Sequence, residues 1–139
     1  MEAYTIEKDI QVFGKPVSTF PNGIKDAYDS LVEMVPDALR RSYYGLTRMD
    51  DDGSFLYYAT VEEAYPGEGK IYHLDTCSVE KGEYLSVVVL SWYTKTDSIK
   101  DVFHELMQHP DADLTKSCVE WYKNDYEMLC MIRKKQIIS

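Results

Sequence analysis

Five consecutive residues, Cys118-Val119-Glu120-Trp121-Tyr122, carry the most suggestive chemistry in this sequence. On a strand, side chains alternate between faces, so Cys118, Glu120 and Tyr122 look one way and Val119 and Trp121 the other. Both faces are then apolar or aromatic, no Lys or Arg falls in the patch, and Glu120 has no route to water. A carboxyl group in such surroundings is costly to ionise unless hydrogen-bonded or paired, and desolvation raises its pKa. It suits a cationic or proton-accepting guest. Lys123-Asn124-Asp125 reads as the turn of a hairpin, which places Met128 opposite Glu120, Tyr126 opposite Tyr122 and Cys130 opposite Cys118. That last pair could form a cross-strand bond if oxidised, but Cys77, Cys118 and Cys130 are expected as free thiols.

Aromatic residues supply the rest of the candidate site. There are twelve Tyr against four Phe and two Trp. Tyr, with a broad apolar ring and a hydroxyl that needs a partner, favours clefts and interfaces as well as strands. Tyr44 and Tyr58 fall on the two strands of an earlier hairpin, Ser42–Met49 and Ser54–Ala64, joined by Asp50-Asp51-Asp52-Gly53. A four-residue loop sets Gly45 against Tyr58, an aromatic laid across a strand glycine. Trp92 closes a later strand, just before a helix. Glu120, Tyr122, Tyr58, Tyr44 and Trp92 are therefore the expected ligand-binding residues, with Glu120 the expected catalytic residue of an enzymatic reading.

Other chemistries find less support. The aspartates of residues 50–52 do not open a calcium loop, because Phe55 and Val61 stand where the EF-hand needs glycine and its last acid. His73, His104 and His109 are scattered, and the last two are five residues apart, off a common helical face. No metal is expected, and without a Gly-rich phosphate loop no cofactor is either.

Two helices and a set of strands must position these residues. Ile24, Tyr28, Leu31, Val32 and Val35 form one helical stripe that Pro36 ends. Ile99, Val102, Phe103, Leu106 and Met107 form a second, with Ser98 and Asp101 as a capping pair. Strand-like segments lie around Ile10–Phe13, in the hairpin above, at Lys70–Val79, Tyr84–Tyr93, Ser117–Tyr122 and Tyr126–Lys135. Helix starts near Gly23 and Asp97, and hairpin loops near residues 52 and 124, repeat at an offset of about 72–75 residues. The spacing predicts an α+β fold: a pseudo-twofold duplicated strand–helix–hairpin unit forming one antiparallel sheet with two helices packed on it. Residues 1–139 are read as one domain with halves of about 1–67 and 68–139, and the ground between halves as the ligand groove.

The 139 residues carry a formal charge of −9 and a pI near 4.7. Such an acidic chain repels phosphate, so no direct nucleic-acid binding is expected. The start, Met-Glu-Ala-Tyr, lacks the features of a signal peptide. The longest apolar run, Val87–Leu90, is far short of the ~20 residues of a membrane span. A cytoplasmic protein without a membrane partner is expected.

Several short motifs point in one direction. Tyr43-Tyr44-Gly45-Leu46 before a hairpin, then Leu56-Tyr57-Tyr58-Ala59-Thr60-Val61-Glu62, with Gly82-Glu83-Tyr84 and Val119-Glu120-Trp121-Tyr122 later, resemble the gyrase-inhibitor-like proteins. Those are the effector-binding domains also joined to bacterial AraC-type and MerR-type multidrug regulators. The resemblance covers the whole chain and implies an aromatic-lined pocket for amphipathic, often cationic compounds, with the ligand-pairing glutamate at Glu120 and Tyr122 beside it. Two departures stand out: no helix-turn-helix segment is present, and Ala59-Thr60 replaces the family's Ala-Gly step. The expected function is a stand-alone binder of amphipathic cations. The alternatives are a hydrolase of strained electrophilic small molecules using the same glutamate and, third, an acidic protein–protein inhibitor.

Overall fold

Alternating apolar residues become strands and the two 3.6-periodic stripes become helices, in an α+β fold. A computed structural model describes residues 1–18, 22–49, 55–92, 96–124 and 126–136. In chain order the elements are β1 (Glu2–Ile6), β2 (Ile10–Pro16), α1 (Ile24–Met34), a 3-10 turn (Ala38–Arg40), β3 (Tyr43–Met49), β4 (Phe55–Glu62) and α2 (Glu68–Ile71). There follow β5 (Asp75–Val79), β6 (Gly82–Leu90), α3 (Thr96–Met107), β7 (Cys118–Tyr122) and β8 (Glu127–Arg133). No helix among the described residues is long and apolar enough to cross a membrane.

The strands form one curled antiparallel sheet in the order β1-β6-β8-β7-β3-β4-β2-β5. This order is palindromic: exchanging β1 with β5, β6 with β2, β8 with β4 and β7 with β3 reverses it. Burial follows the same rhythm. β1 and β5 each bury only their last residue, Ile6 and Val79, while β2 and β6 each bury three in a row, Val12-Phe13-Gly14 and Tyr84-Leu85-Ser86. Three successive buried residues mean that both faces of the sheet are covered. The halves also exchange their first strands, since β1 pairs with β6 and β5 with β2.

One face carries the helices. α1 sets Ala27, Leu31 and the following Val35 against Phe13, Tyr57 and Val61. Val32, expected on that stripe, is 38% exposed at its rim, and Ala27 takes the inner position. Val35 adopts an extended conformation ahead of Pro36, as the steric demand of proline on its predecessor requires. α3 sets Phe103 and Leu106 against Leu85, Val89, Met128 and Ile132. It begins at Thr96, so Ser98 stands within the first turn and not at a cap. The other face curls around a second core that includes Ile6, Val12, Tyr44, Val79, Val119 and Met131.

Two further expectations change. Residues 68–71, the last two of them expected to begin a strand at Lys70, form a helical turn behind Gly67, whose φ of 88° suits glycine. Its anchor is Glu68, wholly buried, which accepts from both terminal nitrogens of Arg41 (Nη2 at 2.7 Å) and from the Ala64 backbone N–H at 2.9 Å. A long-range ion pair leaves no periodic trace in sequence. The strand expected to reach Tyr93 stops at Leu90, because Ser91 takes a φ of 53° and turns the chain. The residue 50–53 loop, Tyr93 and Asp125 lie outside the described residues.

Candidate functional site

β7 and β3 meet at the seam between the halves, with Tyr43 opposite Tyr122, Gly45 opposite Glu120 and Thr47 opposite Cys118. On its other side β7 pairs with β8, which puts Cys130 opposite Glu120 and Met128 opposite Tyr122. The expected hairpin register is thus corrected by two residues, and Cys118 does not face Cys130. Lys123 and Asn124 both donate their backbone N–H groups to the Glu127 carbonyl, so Lys123, expected as the first residue of the turn, still belongs to the ladder. An even slip keeps every side chain on its face, so Glu120 still points where the sequence put it.

The first hairpin slips by one. Gly45 lies opposite Ala59, not Tyr58, and Met49 opposite Phe55. An odd slip exchanges the two faces of β4. Tyr57 therefore shares the helix-side face with Gly45 and Glu120, and Tyr58 joins the core on the far side. Tyr44, next to Gly45 in sequence, also points to that far side, where it is buried and stacks on Trp121 with centroids 6.4 Å apart. An aromatic does cover the strand glycine, but it is Tyr57. A Cβ at position 45 would come within 2.6 Å of Glu120 Oε1 and closer still to the Tyr57 hydroxyl.

Glu120 is 5% exposed. Burial raises its carboxyl from an ordinary 4.5 to about 7, while hydrogen bonds from the Tyr57 and Tyr122 phenols pull the other way. The Tyr57 and Tyr122 hydroxyls are 3.3 Å apart, and the Tyr28 hydroxyl of α1 is 3.0 Å from that of Tyr57. Desolvation pushes all three phenols up, so they are donors and not phenolates at neutral pH. Burial likewise lifts the Cys118 thiol to about 12 and that of Cys130 higher. Neither is a nucleophile at neutral pH. Among the described residues the ion pairs are Lys25–Asp29, Arg41–Glu68, Lys116–Glu80, Arg133–Glu80 and Lys134–Glu83, and none involves Glu120.

Rings close the site. Tyr122 is met edge-on by Tyr28 at 5.2 Å and by Trp92 at 5.0 Å, and Tyr28 meets Tyr43 at 6.2 Å. The Trp92 indole N–H donates to the Asn124 carbonyl, which ties the segment after β6 to the β7–β8 turn. Of the five expected residues, Glu120, Tyr122 and Trp92 come together, and Tyr44 and Tyr58 do not. Tyr57 and Tyr28 were missed. A Tyr at an inward position of α1 was a usable signal for the latter, and the right loop length would have exposed the former. Two open depressions of about 620 and 390 Å³ lie around Arg133 and Glu80, and Glu120 lines neither.

No protein-family model matches the sequence, and no curated protein sequence matches it. Solved structures do. An integron cassette protein from the mobile metagenome of Vibrio cholerae superposes with a TM-score of 0.69 at 14% identity, over 96% of this chain and 95% of that one. The protein SAV2435, solved bound to tetraphenylphosphonium, superposes with a TM-score of 0.68 at 11% identity, over 96% and 93%. A Staphylococcus aureus MU50 protein, described as a candidate bacterial transcription regulation protein, gives 0.63 at 11% identity over 97% of both chains. Nearly the whole chain thus shares one fold with these three structures.

Proposed function

We propose that the chain binds amphipathic cations at the seam, with Glu120 as counter-ion and the rings of Tyr28, Tyr57, Tyr122 and Trp92 around the apolar body of the guest. The observation that carries this reading is the setting of Glu120: a buried carboxyl that accepts from two phenols and has, among the described residues, no basic partner. A structural ion pair would present a cation here, as Arg41 does for Glu68. Burial of an unpaired carboxyl is unfavourable, so a positive guest recovers what folding costs at this point. Each ring adds ~0.5–2 kcal/mol of cation–π attraction once water is gone. The rings of Tyr28 and Trp92 lie against Tyr122, so a guest that takes their place enters by parting them. That a protein of the same fold is solved with tetraphenylphosphonium supports the choice of ligand class.

Calorimetric titration with tetraphenylphosphonium and with neutral triphenylphosphine oxide, above pH 7 where the carboxyl is ionised, tests the reading. Glu120→Gln is expected to weaken the phosphonium by tenfold or more, about 1.4 kcal/mol, and the neutral compound far less. Equal losses for both compounds, or no phosphonium binding by the wild type, refute the assignment.

A second reading draws on the carboxyl's pKa of about 7, which suits a general acid or base near neutral pH. In that reading Glu120 protonates the departing oxygen of a strained ring while water attacks the carbon, and the proton that water then loses restores the carboxyl. Repeated turnover of an epoxide by the wild type, lost in Glu120→Gln, would favour it over binding alone.

A further inference from the structure

We infer that the open end of β6 is a self-association edge, on which a second copy of this chain pairs antiparallel. The Ser91 N–H donates to the Tyr126 carbonyl at 2.7 Å and the Lys134 N–H to the Glu83 carbonyl at 2.9 Å. In an antiparallel ladder, residues bonded to one neighbour alternate with those bonded to the other. Odd residues from Glu83 to Ser91 therefore turn their backbone groups toward β8, and even residues turn theirs toward β1. β1 covers β6 only as far as Ser86, opposite Glu2. Among the described residues, no strand covers Val88 and Leu90 on that side, and their side chains are 47% and 43% exposed.

The duplicated half provides an internal control. Aligning Gly82 with Ile10, the first residues of strands with one burial rhythm, puts Val87-Val88 where Lys15-Pro16 stand. β5 covers β2 only as far as Gly14, so β2 has the same open end. Its outward position is Pro16, because the Val17 N–H bonds to Tyr57 and the Gln11 carbonyl accepts from Glu63, which turns odd residues inward. Proline has no N–H to offer, and Lys beside it discourages a partner strand. The same place in the fold is blunted in one half and left apolar and unblocked in the other.

The geometry points to a second copy as the occupant. The available window holds two outward positions, and a twofold axis at Val89 sets Val88 of each copy opposite Leu90 of the other, using all of them. A longer foreign strand would run into Met1 and Glu2, which begin beside Val87 and Ser86. β6 ends at Leu90, with Ser91 at a φ of 53°, where the other copy's β1 begins. No charged side chain lies between Ser86 and Ser91, so the paired stretch sets no like charges against each other. The net charge of −9 opposes association at long range, and salt screens that repulsion. So short an edge buries less than the ~1,200 Å² of a standard interface, which makes the dimer weak.

Sedimentation equilibrium of the full chain, from about 10 μM to 1 mM, tests this. The weight-average mass is expected to climb from 16.1 kDa toward twice that value, and more readily at about 0.5 M than at about 0.05 M salt. Val88→Lys and Val88→Pro are expected to remain at 16.1 kDa with wild-type circular dichroism. Amide exchange at Val88 and Leu90 should be fast in dilute protein and slow in concentrated protein. A wild type that stays monomeric overturns the inference, as does a dimer that survives both substitutions. Slow exchange at these amides in dilute monomer overturns it too, since the chain's own residues would then cover the edge.

Discussion

Glu120→Gln should make the protein more stable, and more so as pH rises. The wild-type carboxyl is ordinary in the unfolded chain, near 4.5, and is raised to about 7 in the fold by burial. The folded state therefore binds more protons than the unfolded state between those values. The corresponding stability is fully present below about 4.5 and is lost as pH rises through about 7. A displacement of that size is worth about 3 kcal/mol. Gln keeps an acceptor oxygen for the Tyr57 and Tyr122 hydroxyls but does not titrate. Urea unfolding followed by Trp fluorescence, for both proteins at about pH 4 and about pH 8.5, measures the difference, and every other titrating group cancels between them. The variant should gain about 3 kcal/mol on the wild type across that interval. A gain under about 1 kcal/mol would mean that Glu120 titrates as an exposed carboxyl, which removes the basis of the proposed site.

Gly45→Ala should cost about 1–3 kcal/mol and weaken phosphonium binding, since its methyl would push the Tyr57 hydroxyl and the Glu120 carboxyl apart. Gly67→Ala, where φ is 88° but the space is open, should cost about 1 kcal/mol in the same denaturation assay and leave binding untouched. Glu68→Gln leaves the Arg41 guanidinium buried without its counter-charge, and unfolding titrations should show a loss of about 3–5 kcal/mol at neutral pH. Arg41 holds the Glu68 carboxyl below its usual value, so the pair's contribution is present above that value and disappears as pH falls through the lowered one. The difference between Glu68→Gln and wild type should accordingly shrink in acid.

The doubled strand–helix–hairpin order was legible because helical and strand periods differ, and because the offset between copies survives without residue identity. The stranded carboxyl was legible for a similar reason: with Val119 and Trp121 on one face and Cys118 and Tyr122 on the other, neither face of β7 offered Glu120 to water. Less could be read at the loops. Two registers depended on loop lengths that composition does not reveal, and the errors had unequal consequences. The slip at β7–β8 was even and left the site intact, whereas the slip at β3–β4 was odd and exchanged Tyr58 for Tyr57.

Local sequence, then, determined the two long helices, most of the strands and which acid is denied solvent, since these follow from side-chain alternation within a few residues. Only the tertiary structure decided what meets that acid. The β3–β7 pairing that sets Gly45 beside Glu120, the approach of Tyr28 from α1, and the exchange of β1 and β5 between halves all join residues far apart in the chain. They are chosen by how two half-sheets cover each other's apolar faces, and no local pattern encodes that choice.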